Sequence, residues 1–187
     1  MHAPKLLLAL VAALSLGACK LPQLPELPKL PKLPTVAQML PVGSSGQSLK
    51  DALAQAAPLA EAWAPGATWM RLTGVKLDPG GRNGGHKEGV WIFLFRSESK
   101  PAALEVRVSQ GQAVQRDIEN MTFSEAALPA DMAGLLDSTD AATKAGIDSR
   151  SLTIVLRQDA AGPLYNLVEE GGTRRATIDA KTGEKKE

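Results

Sequence analysis

The sequence predicts an α+β protein: tandem α-β-β-β repeats forming two antiparallel sheets, each covered by a helix, after a Pro-rich extended tether. Three observations lead there. Proline recurs at every third position from Pro22 to Pro34, which fixes φ and removes the donors that a helix or a central strand uses. Beyond Ser48, apolar residues recur first at spacings of three and four and then in alternation, as in a helix followed by strands. The same order, one helix and then strands, returns from Asp137 to the end of the chain.

The first element is an address. A short positive start, Met1 to Lys5, precedes an apolar run from Leu6 to Ala18, the pattern of a secretory signal. The run is shorter than the ~20 apolar residues of a membrane-spanning helix. It ends Leu16-Gly17-Ala18-Cys19, which resembles the lipobox of bacterial lipoproteins. That resemblance implies cleavage between Ala18 and Cys19, acylation of the Cys19 sulfur and new amino group, and attachment to a membrane through the acyl chains. With Lys20 rather than aspartate after the cysteine, it further implies the outer membrane of a bacterial cell envelope. Several acyl chains anchor stably where one is marginal. Cys19 is the only cysteine, so an exported chain must rely on an apolar core rather than disulfides.

The tether, residues 19–47, is dominated by Leu-Pro-x triplets from Leu21 to Pro34. Polyproline II has three residues per turn, so leucine, proline and polar residues fall on separate stripes. Extended at ~3.1 Å per residue, the segment reaches roughly 45 Å. It reads as a semi-rigid spacer. The leucine stripe also suits docking to an aromatic groove, a membrane or another protein. Val42 to Gly46 forms a flexible joint.

The first repeat spans 48–116. Ser48 and Asp51 can cap a helix, with Leu49, Leu53, Ala56, Ala60 and Trp63 on one face. Pro58 predicts a kink or restart, and Pro65-Gly66 a stop. Thr68–Leu77 reads as a strand with a bulge at Gly74. Val90–Phe95, apolar at every position, reads as a central strand covered on both sides, and Leu104–Ser109 alternates cleanly. After a connector at 117–136, the second repeat (137–187) carries a helix from Asp137-Ser138 to Ala145 and strands at 152–157, 164–168 and 175–180. The last two strands of the halves superpose, since Trp91 to Gly111 spans 20 positions and Tyr165 to Gly183 spans 18. The first half is longer chiefly through the Gly-rich loop Asp78 to Lys87.

The second repeat, ending Ile178-Asp179-Ala180-Lys181-Thr182-Gly183, resembles PepSY-type domains, which often close on a hydrophobic-Asp-Ala-x-Thr-Gly motif. The first repeat keeps only Val106 to Gly111, and Glu184-Lys185-Lys186-Glu187 departs from the usual apolar continuation. The resemblance implies a small extracytoplasmic binding or inhibitory domain. The tandem arrangement is also similar in outline to beta-lactamase inhibitory proteins, although those carry disulfides.

Chemistry is sparse. Lys+Arg number 21 against 20 Asp+Glu, so no charge footprint for nucleic acid is present. His86 is the one histidine beyond the signal and lies in the Gly-rich loop, where it reads as solvated rather than as a general base beside Glu88. No metal ligand set or cofactor is expected. Asp137, Thr139 and Asp140 read as helix capping rather than a calcium site. The glycines of 80–85 lack the Gly-Lys-Ser/Thr ending of a phosphate loop. Trp91, Phe93 and Phe95 read as core. The expected protein is therefore non-catalytic and lipid-anchored, and it binds a protein or peptide partner in an inhibitory or regulatory role. Trp63, Trp69, Arg82, Asn83 and His86 are the candidate contacts. The alternative is an envelope assembly component whose tether is the working part.

Overall fold

Ser48 caps the first helix, α1 (Leu49–Trp63): its Oγ accepts the Asp51 N–H, and the Asp51 carboxylate accepts the Ser48 N–H at 3.0 Å. The computed structural model describes residues 46–84, 88–147 and 151–186. The signal, Cys19, the Leu-Pro repeat and His86 lie outside the described residues. Leu49, Ala52, Ala56 and Ala60 form the buried face of α1, at the spacing the sequence shows. The helix runs on through Pro58, where the sequence predicts an interruption.

Four strands follow, β1 (Thr68–Leu77), β2 (Val90–Arg96), β3 (Ala103–Ser109) and β4 (Gln112–Ile118). After a connector without helix or strand comes α2 (Ser138–Ala145), then β5 (Leu152–Asp159), β6 (Gly162–Glu169), β7 (Arg175–Asp179) and the two-residue β8 (Lys185–Lys186).

The expected pair of separate, helix-covered sheets in tandem repeats is not what forms. All eight strands make one antiparallel sheet in the order β4-β3-β2-β1-β5-β6-β7-β8. The join is the β1–β5 pairing, Leu72 with Leu156, Thr73 with Val155 and Gly74 with Ile154. Two separate sheets would leave β1 and β5 as long edges with bare backbone donors and acceptors, and pairing them satisfies both. The two helices cover the same side: α1 packs on β3 and neighbouring β2 and β4, and α2 on β6 and β7. Their buried residues belong to one apolar cluster with the strands of both halves.

The register shows how that cluster is laid down. Val106, Phe93, Leu72, Leu156, Tyr165 and Ile178 lie side by side across six strands, all 0–1 % exposed. In the next row, Trp91 faces Gly74, where a Cβ would sit 2.5 Å from Leu77 Cδ1 and Trp91 Cζ3. Gly74 thus makes room for the indole. The ladder between β1 and β5 shifts register between Gly74 and Leu77, where Lys76 has φ 52°. The connector completes the core with Leu128, Met132 and Leu135. It is tied down by Leu128 N–H to Trp69 O and Leu136 N–H to Ala180 O, both 2.8 Å.

Candidate functional site

The side of the sheet away from the helices is built from the alternate residues of the same strands. Its central row reads Val114, Arg107, Ile92, Thr73, Val155, Asn166 and Thr177. Val75, Ile92, Thr73, Val155 and Val168 are half-buried, and none belongs to the core cluster. The sequence reads β2 as covered on both sides, but among the described residues neither helix packs against the Val90-Ile92-Leu94 side.

Arginines surround this aliphatic centre. Arg107 Nε and Arg116 Nε each donate to Glu105 Oε1 at 2.7 Å. Burial pushes the Glu105 carboxyl up, but these two hydrogen bonds and the charges behind them outweigh it, leaving it below its ordinary value. Arg71 forms a two-pronged ion pair with Glu125 of the connector. Arg157, beside Leu164 on β6, has its Nε buried with no hydrogen-bond partner.

The residues singled out in sequence fall in several places. Asn83 is 2 % exposed: its Oδ1 accepts the Gln47 N–H at 2.8 Å, and its Nδ2 donates to Val108 O at 3.1 Å. Asn83 N–H and Trp91 Nε1–H both donate to Gln47 O, at 3.1 and 3.0 Å. Arg82 Nη1 donates to Gly46 O at 2.9 Å. The Gly-rich loop is thus a clasp on the first residues of the domain. Trp63 is half-buried, with the Lys100 ammonium 4.9 Å from its ring centre. Trp69 packs at 4.3 Å on Phe95 and lines, with Pro58, Glu61 and Ala67, a shallow groove of about 390 Å³. The candidate contacts therefore do not converge on one surface: Trp69 lines that groove, and Arg82 and Asn83 serve the clasp. Ala18, Cys19 and His86 lie outside the described residues.

The Ile178–Gly183 motif closes strand β7 with a turn. Asp179 Oδ1 accepts the N–H groups of Lys181 and Thr182, which hold its carboxyl below the usual range. Ala180 is fully buried, and Gly183 takes φ 76°. Asp137 accepts from Ser138 N–H and from Lys50 N–H of α1, while Ser138 Oγ accepts the Leu49 N–H and donates to Gly81 O. These two residues tie the starts of both helices together. Tyr165 donates to Leu136 O at 2.6 Å, and burial, followed by the charges of Asp137 and Asp140, pushes its phenol up. No grouping of three His, Cys, Asp or Glu able to hold a metal occurs among the described residues.

The arginine face gave no local signal in sequence. Its residues are spread over seven strands and are united only by the register. No family model, curated protein or solved structure matches the chain, so the PepSY-type and lipobox resemblances rest on their residues alone.

Proposed function

We propose that the chain is a non-catalytic, lipid-anchored protein of the bacterial cell envelope, held at the outer membrane through Cys19, and that it binds a protein or peptide partner. One observation carries the binding half: one side of the eight-stranded sheet bears both helices, whereas the other presents a half-buried aliphatic centre ringed by arginines. An apolar centre within a polar rim, rich in arginine, is the anatomy of a protein interface. The anchor half rests on Leu16-Gly17-Ala18-Cys19. The second reading, an assembly component worked by its tether, is favoured by the leucine stripe of residues 21–34, which is more than a spacer needs.

The two readings separate in a pull-down of the full acylated chain from envelope extract. Val155→Glu abolishes capture if the sheet face binds, and deletion of residues 20–41 leaves capture intact. The reverse pattern replaces the sheet-face reading with the tether reading. Cys19→Ser is expected to abolish palmitate labelling and release the protein from the membrane; retention in the membrane contradicts the anchor.

A further inference from the structure

We infer that the uncovered sheet face recognises an acidic polypeptide, with carboxylates of the partner seated on the arginines around the Ile92–Val155 centre. This rests on the proposed binding function and names the chemistry of its partner.

The sign of the face is the first argument. The register places Arg71, Arg96, Arg107, Arg116, Arg157 and Arg175 on this side, with Lys186 at its edge. Glu105, Asp159 and Asp179 are the acids of the same strands on that side, and Glu125 of the connector pairs with Arg71, so the cations outnumber the acids by seven to four. The whole chain carries a net charge of only +1, so the positive face comes from placement, not composition.

The acids are also spoken for. Glu105 takes two guanidiniums on one carboxylate, which leaves positive charge in surplus. Asp179 is committed to its turn and lies 3.6 Å from Lys186. Asp159 Oδ1 accepts the Ala160 N–H.

Arg157 supplies the third argument. Its Nε is buried without a partner, and the register that pairs Leu156 with Leu72 brings Arg71 alongside it, with Leu164 on the other flank. A buried guanidinium donor left unmet burdens the fold, and a carboxylate approaching between the aliphatic residues would meet it. The cations are almost all arginine, whose planar fork matches a carboxylate with two parallel hydrogen bonds. The aliphatic centre beneath them suits a polypeptide with apolar side chains between its acids.

The test uses the purified full chain and three probes: a 20-residue peptide alternating Glu and Val, the same peptide with Lys for Glu, and phosphatidylglycerol vesicles. Binding is followed by calorimetry, and amide shifts by NMR. The Glu peptide is expected to bind and the Lys peptide not to bind, with shifts centred on Thr73, Ile92 and Val155. Arg157→Met and Arg107→Gln are each expected to weaken the Glu peptide about tenfold. Arg157→Met should leave the melting temperature unchanged or raised, which separates lost recognition from unfolding. Equal binding of both peptides, no binding of either, or shifts confined to α1 overturns the proposal. Vesicle binding that depends on Arg157 without peptide binding also overturns it, in favour of an anionic membrane surface. Capture of an envelope protein that is sensitive to Val155→Glu, with no preference for the Glu peptide, defeats the acidic-partner inference and leaves the binding function standing.

Discussion

Phe93 and Ile92 are chain neighbours on β2, yet Phe93 is 0 % exposed within the cluster that includes α1, while Ile92 is half-buried on the other side. The contrast extends along the whole row. Val106, Leu72, Leu156, Tyr165 and Ile178 continue the covered side, and Arg107, Thr73, Val155, Asn166 and Thr177 the other. A strand sends successive side chains to opposite faces, so the two sides share a backbone and little else. The covered side holds the fold together by burial. The other side keeps branched residues that sustain strand conformation, and arginines that packing does not require. On the proposed function, that division would let the second side answer to a partner without unmaking the first.

The largest expected effect lies on the covered side. Phe93→Ala should cost about 3–5 kcal/mol in urea unfolding, and Ile92→Ala about 1 kcal/mol or less. Equal losses would break the comparison. Gly74→Ala should cost about 1–3 kcal/mol, because the added Cβ would meet Leu77 and Trp91 at 2.5 Å. Asn83→Ala should cost a similar amount, about 1–3 kcal/mol, and should raise amide exchange at Gln47, since it removes the acceptor of the Gln47 N–H.

The pH dependence of stability sharpens the contrast on the uncovered side. The folded Glu105 carboxyl titrates below its ordinary value, so its contribution is fully present above the unfolded pKa of about 4.3 and is lost as pH falls through the lower folded value. Glu105→Gln should flatten that part of the stability profile. An unchanged profile would mean that the Arg107–Glu105–Arg116 cluster contributes nothing to the fold. The smallest effect is expected at Arg157→Met, within about 0.5 kcal/mol of the parent or slightly stabilising, since it removes an unmet buried donor.

Local patterns made much of the scaffold legible. The Ser48/Asp51 cap, both helices and the first three strands of each half fall where periodicity and turn residues place them. The joining of the halves was hidden because β1 and β5 are about eighty residues apart, and backbone pairing leaves no mark in local hydropathy. β4 was missed for a different reason. Its residues, Gln-Ala-Val-Gln-Arg-Asp-Ile, are mostly exposed on both sides, with Val114 66 % exposed, so alternation is faint. The available signal was Gln110-Gly111, which at φ 50° and 76° forms the two-residue turn of a hairpin. The site was less legible still. Asn83 looked like a loop contact and proves to be a buried clasp, whereas Arg157 acquires meaning only once the register shows which side it shares with Arg71 and Arg107.

The most direct test places a photo-crosslinking residue at Val155 on the uncovered sheet face and, separately, at Ala54 on the exposed side of α1 in the full chain in cells. The account predicts a discrete adduct with another protein from position 155, diminished by Arg157→Met, and none from position 54. An adduct from position 54 alone would contradict it.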